Sequence, residues 1–139
     1  DWLLTSMTQR ITLVRIRKAP QEAADVNQEL QWLGTSLGLF NLRDKDSSCF
    51  RVFITFIQKA HHNEPASSDE IAEKLNLSRG TVVHHLSRLM EAGLVLREKE
   101  GYVLRETNLA HVVKDIQRDV QEMFAELERV AREIDERLG

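Results

Sequence analysis

The sequence predicts a mainly α-helical fold in which two short crossed helices lead into a β-hairpin and then into a long terminal helix. Three observations predict it. Residues 68–92 hold two amphipathic helical stretches joined by the tight link Asn76-Leu77-Ser78, and residues 94–105 hold two short apolar runs around Glu98-Lys99-Glu100-Gly101. From Thr107 to Leu138 the chain has neither Gly nor Pro and repeats its apolar residues in heptads. The order helix, turn, helix, hairpin describes a winged helix-turn-helix with a two-stranded β-wing, preceded by N-terminal helices and followed by a long C-terminal coiled-coil helix.

The 139 residues, 42% hydrophobic, suffice for one ordinary core and leave no room for two enzyme-sized domains. The chain begins at Asp1 rather than Met, so residue 1 need not be the native start. Residues 1–19 form a basic arm or a short strand: Ile11-Thr12-Leu13-Val14-Arg15-Ile16-Arg17-Lys18 is β-branched and partly alternating. Pro20 suits a first helical turn, and Ala23, Ala24, Val26, Leu30 and Leu33 give an amphipathic spacing that ends near Gly34 to Gly38. Asn41 to Ser48 is loop-like, with Asp46 or Ser47 able to cap the next helix. That helix, through Cys49, Phe50, Phe53, Ile54, Phe56 and Ile57, is apolar around much of its circumference and is expected at the centre of the core. His61-His62-Asn63-Glu64-Pro65 is a polar break. The expected organisation is an arm over 1–19, a winged domain with its N-terminal helices over 20–106, and a dimerisation helix over 107–139.

Within the central region, Ser68 is placed to cap a short helix whose first turn carries Asp69 and Glu70 at the positive end of the helix dipole. Ile71, Ala72 and Leu75 mark its buried side, Leu77 plugs the angle between the helices, and Ser78 caps the second. Over Arg79 to Ala92, Val82, Leu86 and Leu89 face inward, while Arg79, Gly80, Val83, His84, Ser87 and Arg88 lie opposite. His85, nearer the core, is expected to make a structural hydrogen bond. Gly93 ends the helix, and Leu94 to Arg97 and Tyr102 to Arg105 form the hairpin.

The stretch from Ile71 to Val95, with its Ser78-Arg79-Gly80-Thr81-Val82-Val83-His84-His85-Leu86 core and its Glu91-Ala92-Gly93-Leu94-Val95 exit, resembles the recognition region of ArsR-like winged-helix regulators, with the MarR group as a looser relative. The resemblance lies in residues 65–105. It implies a homodimer in which helix 79–92 enters the major groove of duplex DNA and the hairpin touches the flanking backbone. By position, Ser78, Arg79, Gly80, Thr81, Val83 and His84 correspond to the family's DNA-facing surface, and Arg97 and Lys99 to wing contacts. The chemistry suits those places. Arginine reaches a guanine edge with two parallel hydrogen bonds or clamps a phosphate, glycine permits close approach, and a valine methyl meets a thymine methyl. A hydroxyl at a helix N-terminus binds a phosphate oxygen.

Leu109, Val113, Ile116, Val120, Met123, Leu127, Val130 and Ile134 follow one another at alternating steps of four and three, with Val112 and Phe124 broadening the stripe. The other faces are charged. So narrow a stripe calls for a partner helix, and the expected partner is the same helix of a second copy, presenting two reading heads about one DNA turn (~34 Å) apart.

Charge is unevenly placed. Residues 1–18 hold four basic side chains against one acidic, residues 65–105 six against six, and residues 106–139 five against nine, within a net charge of -3. The reading module, with Arg79, Arg88, Arg97, Lys99 and Arg105, is therefore neutral overall and depends on a local basic face. A single cysteine, Cys49, excludes an intrachain disulfide and any paired-cysteine site; it is expected to be a buried apolar residue in a reducing compartment. No stretch nears the ~18 apolar residues of a membrane span, so a cytoplasmic protein is expected. No metal site is expected: the adjacent pairs His61-His62 and His84-His85 diverge on a helix, and Lys114 follows His111 closely enough to oppose a cation. No glycine-rich phosphate loop or nucleophile elbow occurs, so neither catalysis nor a cofactor is expected, and any small-molecule effector is left unnamed. The other readings are a winged-helix protein-interaction or assembly module and a nonspecific chromatin-type DNA binder.

Overall fold

The computed structural model describes residues 9–14, 18–21, 25–40 and 47–139. Among the described residues, five helices and one hairpin follow in order: α1 Val26–Ser36, α2 Ser48–Ala60, α3 Ser68–Leu75, α4 Arg79–Glu91, β1 Val95–Glu98, β2 Gly101–Leu104 and α5 Leu109–Leu138. This is a mainly helical winged helix-turn-helix. Ala23, Ala24, Arg15 to Arg17 and the loop from Asn41 to Asp46 lie outside the described residues.

The turn expected after Pro20 falls in part on residues outside the described ones, and helix α1 begins at Val26. The Asp25 carboxylate accepts from the Asn27 and Gln28 amides at 2.6 and 3.3 Å, and this side-chain cap, rather than the fixed φ of a proline, sets the first turn. Helix α2 is the centre of the core: Cys49, Val52, Phe53 and Phe56 are buried along one face, as the sequence predicts. Ser47 stands at its N-cap position without a side-chain hydrogen bond to the helix.

The cap of α3 is one residue earlier than expected. Ser67, not Ser68, accepts from the Glu70 amide at 3.1 Å; its extended backbone (φ -80°, ψ 159°) is the usual cap conformation, and Ser68 is already helical. Asn76 then adopts a left-handed conformation (φ 55°), and the Leu77 amide donates to the Ala72 carbonyl at 2.9 Å. This turns the chain sharply into α4, which Ser78 caps through the Thr81 amide. Val82, Leu86 and Leu89 are fully buried, and His85 Nε2 lies 2.6 Å from the buried Ser48 hydroxyl. At the far end of α4, Gly93 (φ 80°) bonds back to Met90 and Leu94 bonds back to Leu89, the paired bonds of a Schellman stop.

The wing has the register Val95↔Leu104 to Glu98↔Gly101, leaving Lys99 and Glu100 as its tip. The wing also has a third edge. Ala66 bridges Tyr102 through two backbone hydrogen bonds of 2.9 and 2.8 Å, tying the entry to α3 onto the outer strand of the wing. Gly101 (φ 140°) makes that approach possible, since a Cβ there would sit 2.8 Å from the Ala66 carbonyl oxygen. Gly101→Ala is expected to cost about 1–2 kcal/mol through strain and crowding, read as a lower urea midpoint. An unchanged midpoint would mean that the bridge yields freely.

Residues 9–14 are neither strand nor helix. They lie across the ends of two helices, the Arg10 amide donating to the Glu91 carbonyl (2.8 Å) and the Val14 amide to the Ser36 carbonyl (2.9 Å). No helix among the described residues is long and apolar enough to cross a membrane.

Candidate nucleic-acid interface

The buried face of α4 fixes what its other face presents. With Val82, His85, Leu86 and Leu89 turned into the core, Arg79, Gly80, Val83, His84 and Ser87 stand exposed in one row along the helix. Nothing lies within 4 Å of the place where a Gly80 side chain would begin, so a flat partner can come up to the backbone there. The N-terminus of α4 opens at the same end, adding backbone amides and the positive end of the helix dipole.

Two hydroxyls sit at that end with different freedom. Ser78 Oγ accepts from the Thr81 amide at 3.1 Å and donates its own proton to Thr81 Oγ1 at 2.8 Å, so it is occupied by capping. The Thr81 hydroxyl accepts from Ser78 and keeps its own proton to donate, which makes it the better of the two donors for a phosphate oxygen. Arg79 reaches across to Asp69 in the first turn of α3, Nε to carboxylate oxygen 3.7 Å, with both side chains about three-quarters exposed.

The wing offers a second, weaker contact. Arg97 is exposed with its guanidinium carbon 5.9 Å from the centre of the Tyr102 ring, and Lys99 is exposed at the tip between Glu98 and Glu100. The two glutamates offset the basic charge of the tip, so little net attraction to a phosphate backbone is left there.

Residues 62–96 match the family model described as bacterial regulatory protein, arsR family. This segment is similar to the ArsR-family helix-turn-helix. The match covers about a quarter of the chain, from the end of α2 to the first wing strand. The ArsR family is one of DNA-binding regulators rather than enzymes, which supports a DNA-binding transcription regulator. Compared as a whole, the chain matches no curated protein and no solved structure.

Two basic residues that the sequence made available are engaged elsewhere. Arg88 is half-buried and turned away from the row: its guanidinium donates to the Gly38 carbonyl at 2.9 Å, holding the turn after α1 against α4. Arg105, at the end of the wing, is drawn under the head, with Nη1 2.6 Å from Asp119 and Nε 3.5 Å from Asp115, both on α5. The hydrogen bond to Asp119 raises the Arg105 pKa further and holds the Asp119 carboxyl below its ordinary value. Glu106 is pushed up by its hydrogen bond to Asp115 and by that neighbour's charge. Gln9 joins this node as well, bonding to Asp119 and reaching the Ala92 carbonyl at 3.5 Å.

The heptad residues divide into two groups. Ile116 is buried in the chain's own core with Val112, and Leu109 and Val120 pack against that core. Val113, Met123, Leu127, Val130 and Ile134 are exposed, as is Phe124 beside them. From residue 121 onward every residue of α5 is exposed, so the second half of the helix extends beyond the head. Among the described residues no group of three or more His, Cys, Asp or Glu side chains is assembled that could hold a metal ion.

Proposed function

We propose that the chain is a homodimeric, sequence-specific transcription regulator that reads duplex DNA in the cytoplasm, with α4 in the major groove and the wing against the flanking backbone. The observation that carries this reading is the exposed row Arg79, Gly80, Val83, His84 on the ArsR-family recognition helix, open at Gly80 and flanked by the Thr81 hydroxyl and a helix N-terminus. Arg79 reads a base edge and Val83 contacts a thymine methyl. Thr81 and His84 hold phosphate or base oxygens, and Ser87 and the wing residues Arg97 and Lys99 extend the footprint. Ser78 acts as the cap that orients this turn, and Arg88 as an inner brace.

The neutral head needs two copies for useful affinity. The exposed half of α5, with Met123, Leu127, Val130 and Ile134 on one stripe, is the surface through which a second copy docks. Leu109, Ile116 and Val120 support it from inside the head.

The direct test is duplex binding as a function of salt. Affinity is expected to fall steeply as salt rises, because each neutralised phosphate releases counterions. Arg79→Ala is expected to weaken specific binding by ~1–3 kcal/mol while leaving folding unchanged. Binding untouched by substitution at both Arg79 and His84 would place the contact surface elsewhere.

A further inference from the structure

The first turn of α3 is not itself expected to touch bases, yet the helix crossing brings its Asp69 beside the leading residue of α4. The Asp69 carboxylate faces the Nε edge of Arg79 at 3.7 Å, and Gly80 next to it is open to approach. A guanidinium has two donor forks, one made by Nε and a terminal nitrogen and one made by the two terminal nitrogens. A carboxylate on the Nε side draws the first fork toward α3 by its charge and leaves the second unengaged by it. That second fork has the spacing of guanine O6 and N7.

We propose that Asp69 is a positioning residue for base readout: it holds the Arg79 guanidinium so that its end-on fork meets a guanine, and thereby sets specificity at one position of each half-site. The inference rests on the DNA-reading role proposed above.

A second consequence follows from charge. Asp69 is exposed beside the residue assigned to base readout, so its negative charge opposes sequence-independent attraction to phosphates while it sharpens readout. An exposed ion pair of this kind contributes little to folding, so removing it leaves the fold intact. Specificity and nonspecific affinity are thus expected to move in opposite directions on substitution, which a purely structural ion pair does not produce.

The test is selection from a random duplex library with the full chain, run in parallel on the parent, Asp69→Asn, Asp69→Glu and Arg79→Ala. The parent is expected to enrich guanine at a position that Arg79→Ala loses. Asp69→Asn is expected to lose about tenfold of the preference at that same position and keep the others, with random-duplex binding no weaker than the parent's. Asp69→Glu, which keeps the carboxylate, is expected to recover part of the preference. Full guanine preference in Asp69→Asn would overturn the proposal, as would an equal loss at every position, which marks a scaffold role. A parent that enriches nothing overturns the DNA reading itself, and is distinguished by appearing without any substitution.

Discussion

Aspartate at both Leu127 and Ile134 is expected to convert the protein from dimer to monomer in sedimentation and to weaken duplex binding about a hundredfold or more. The two residues lie in the part of α5 that the head does not cover, where each is half-exposed and contributes nothing to the chain's own core. The monomer should therefore keep its fold, shown by an unchanged thermal transition of the head. Paired heads bind a second half-site as an intramolecular event, and losing that linkage removes a factor on the order of 10²–10⁴ without changing any contact to DNA. Val120 makes a poorer probe although it lies on the same stripe, because it packs against the head and its substitution would mix dimer loss with unfolding. A double variant that still sediments as a dimer would place the interface on another surface.

Arg105→Ala is expected to destabilise the protein by about 2–3 kcal/mol, between the small worth of an exposed ion pair and the larger cost of orphaning a buried charge. Arg105, Asp115 and Asp119 are each mostly covered, so removing the guanidinium takes away the ion-pair partner of Asp119 and leaves Asp115 with the exposed Arg118 alone. The pH dependence follows from Asp119. Its pKa is depressed in the folded state, chiefly by the Arg105 hydrogen bond, so its contribution is complete above the unfolded value of about 4 and disappears as pH falls through the lower folded value. Asp119→Asn should therefore lie furthest below the parent near neutral pH, and the two should converge below about pH 4. A thermal melt series from pH 7 to pH 3 checks this, and a constant gap at all pH values would remove Asp119 from the stabilising network. The same node joins Gln9, the end of α4, the wing and α5, so Arg105→Ala should also loosen the angle between the reading head and the dimer helix.

Much of this architecture is legible in the sequence because it is written in short-range periodicity. Val82, Leu86 and Leu89 repeat at helical spacing and are buried; Gly93 ends α4; two apolar runs around Glu98 to Gly101 make the wing, although Glu98 and Gly101 pair as strand residues rather than standing in the turn. Features that depend on distant partners are not legible. Arg79, Arg88 and Arg105 look alike as surface cations, but one stays exposed beside Asp69, one is held by the Gly38 carbonyl fifty residues away, and one is taken by Asp119. The Ala66 bridge involves a single residue pair, too short to leave a pattern, and Gly101 is its only local sign. The heptad stripe was readable as a stripe. Its division between the chain's own core and an exposed half depends on how far the head reaches along a helix of about 45 Å. Asp69 was visible only as a favourable charge at a helix N-terminus; its nearness to Arg79 follows from the crossing of α3 and α4, which the turn at Asn76 sets.

The central claim, that two winged-helix heads joined through α5 read DNA in a sequence-specific way, is tested most directly by the consensus that the unmodified protein selects from random duplexes. Two inverted half-sites centred about 10–11 base pairs apart are the predicted result, with retention falling steeply as salt is raised. Recovery of no common sequence, with random competitor displacing every selected duplex as well as the duplex displaces itself, would contradict it.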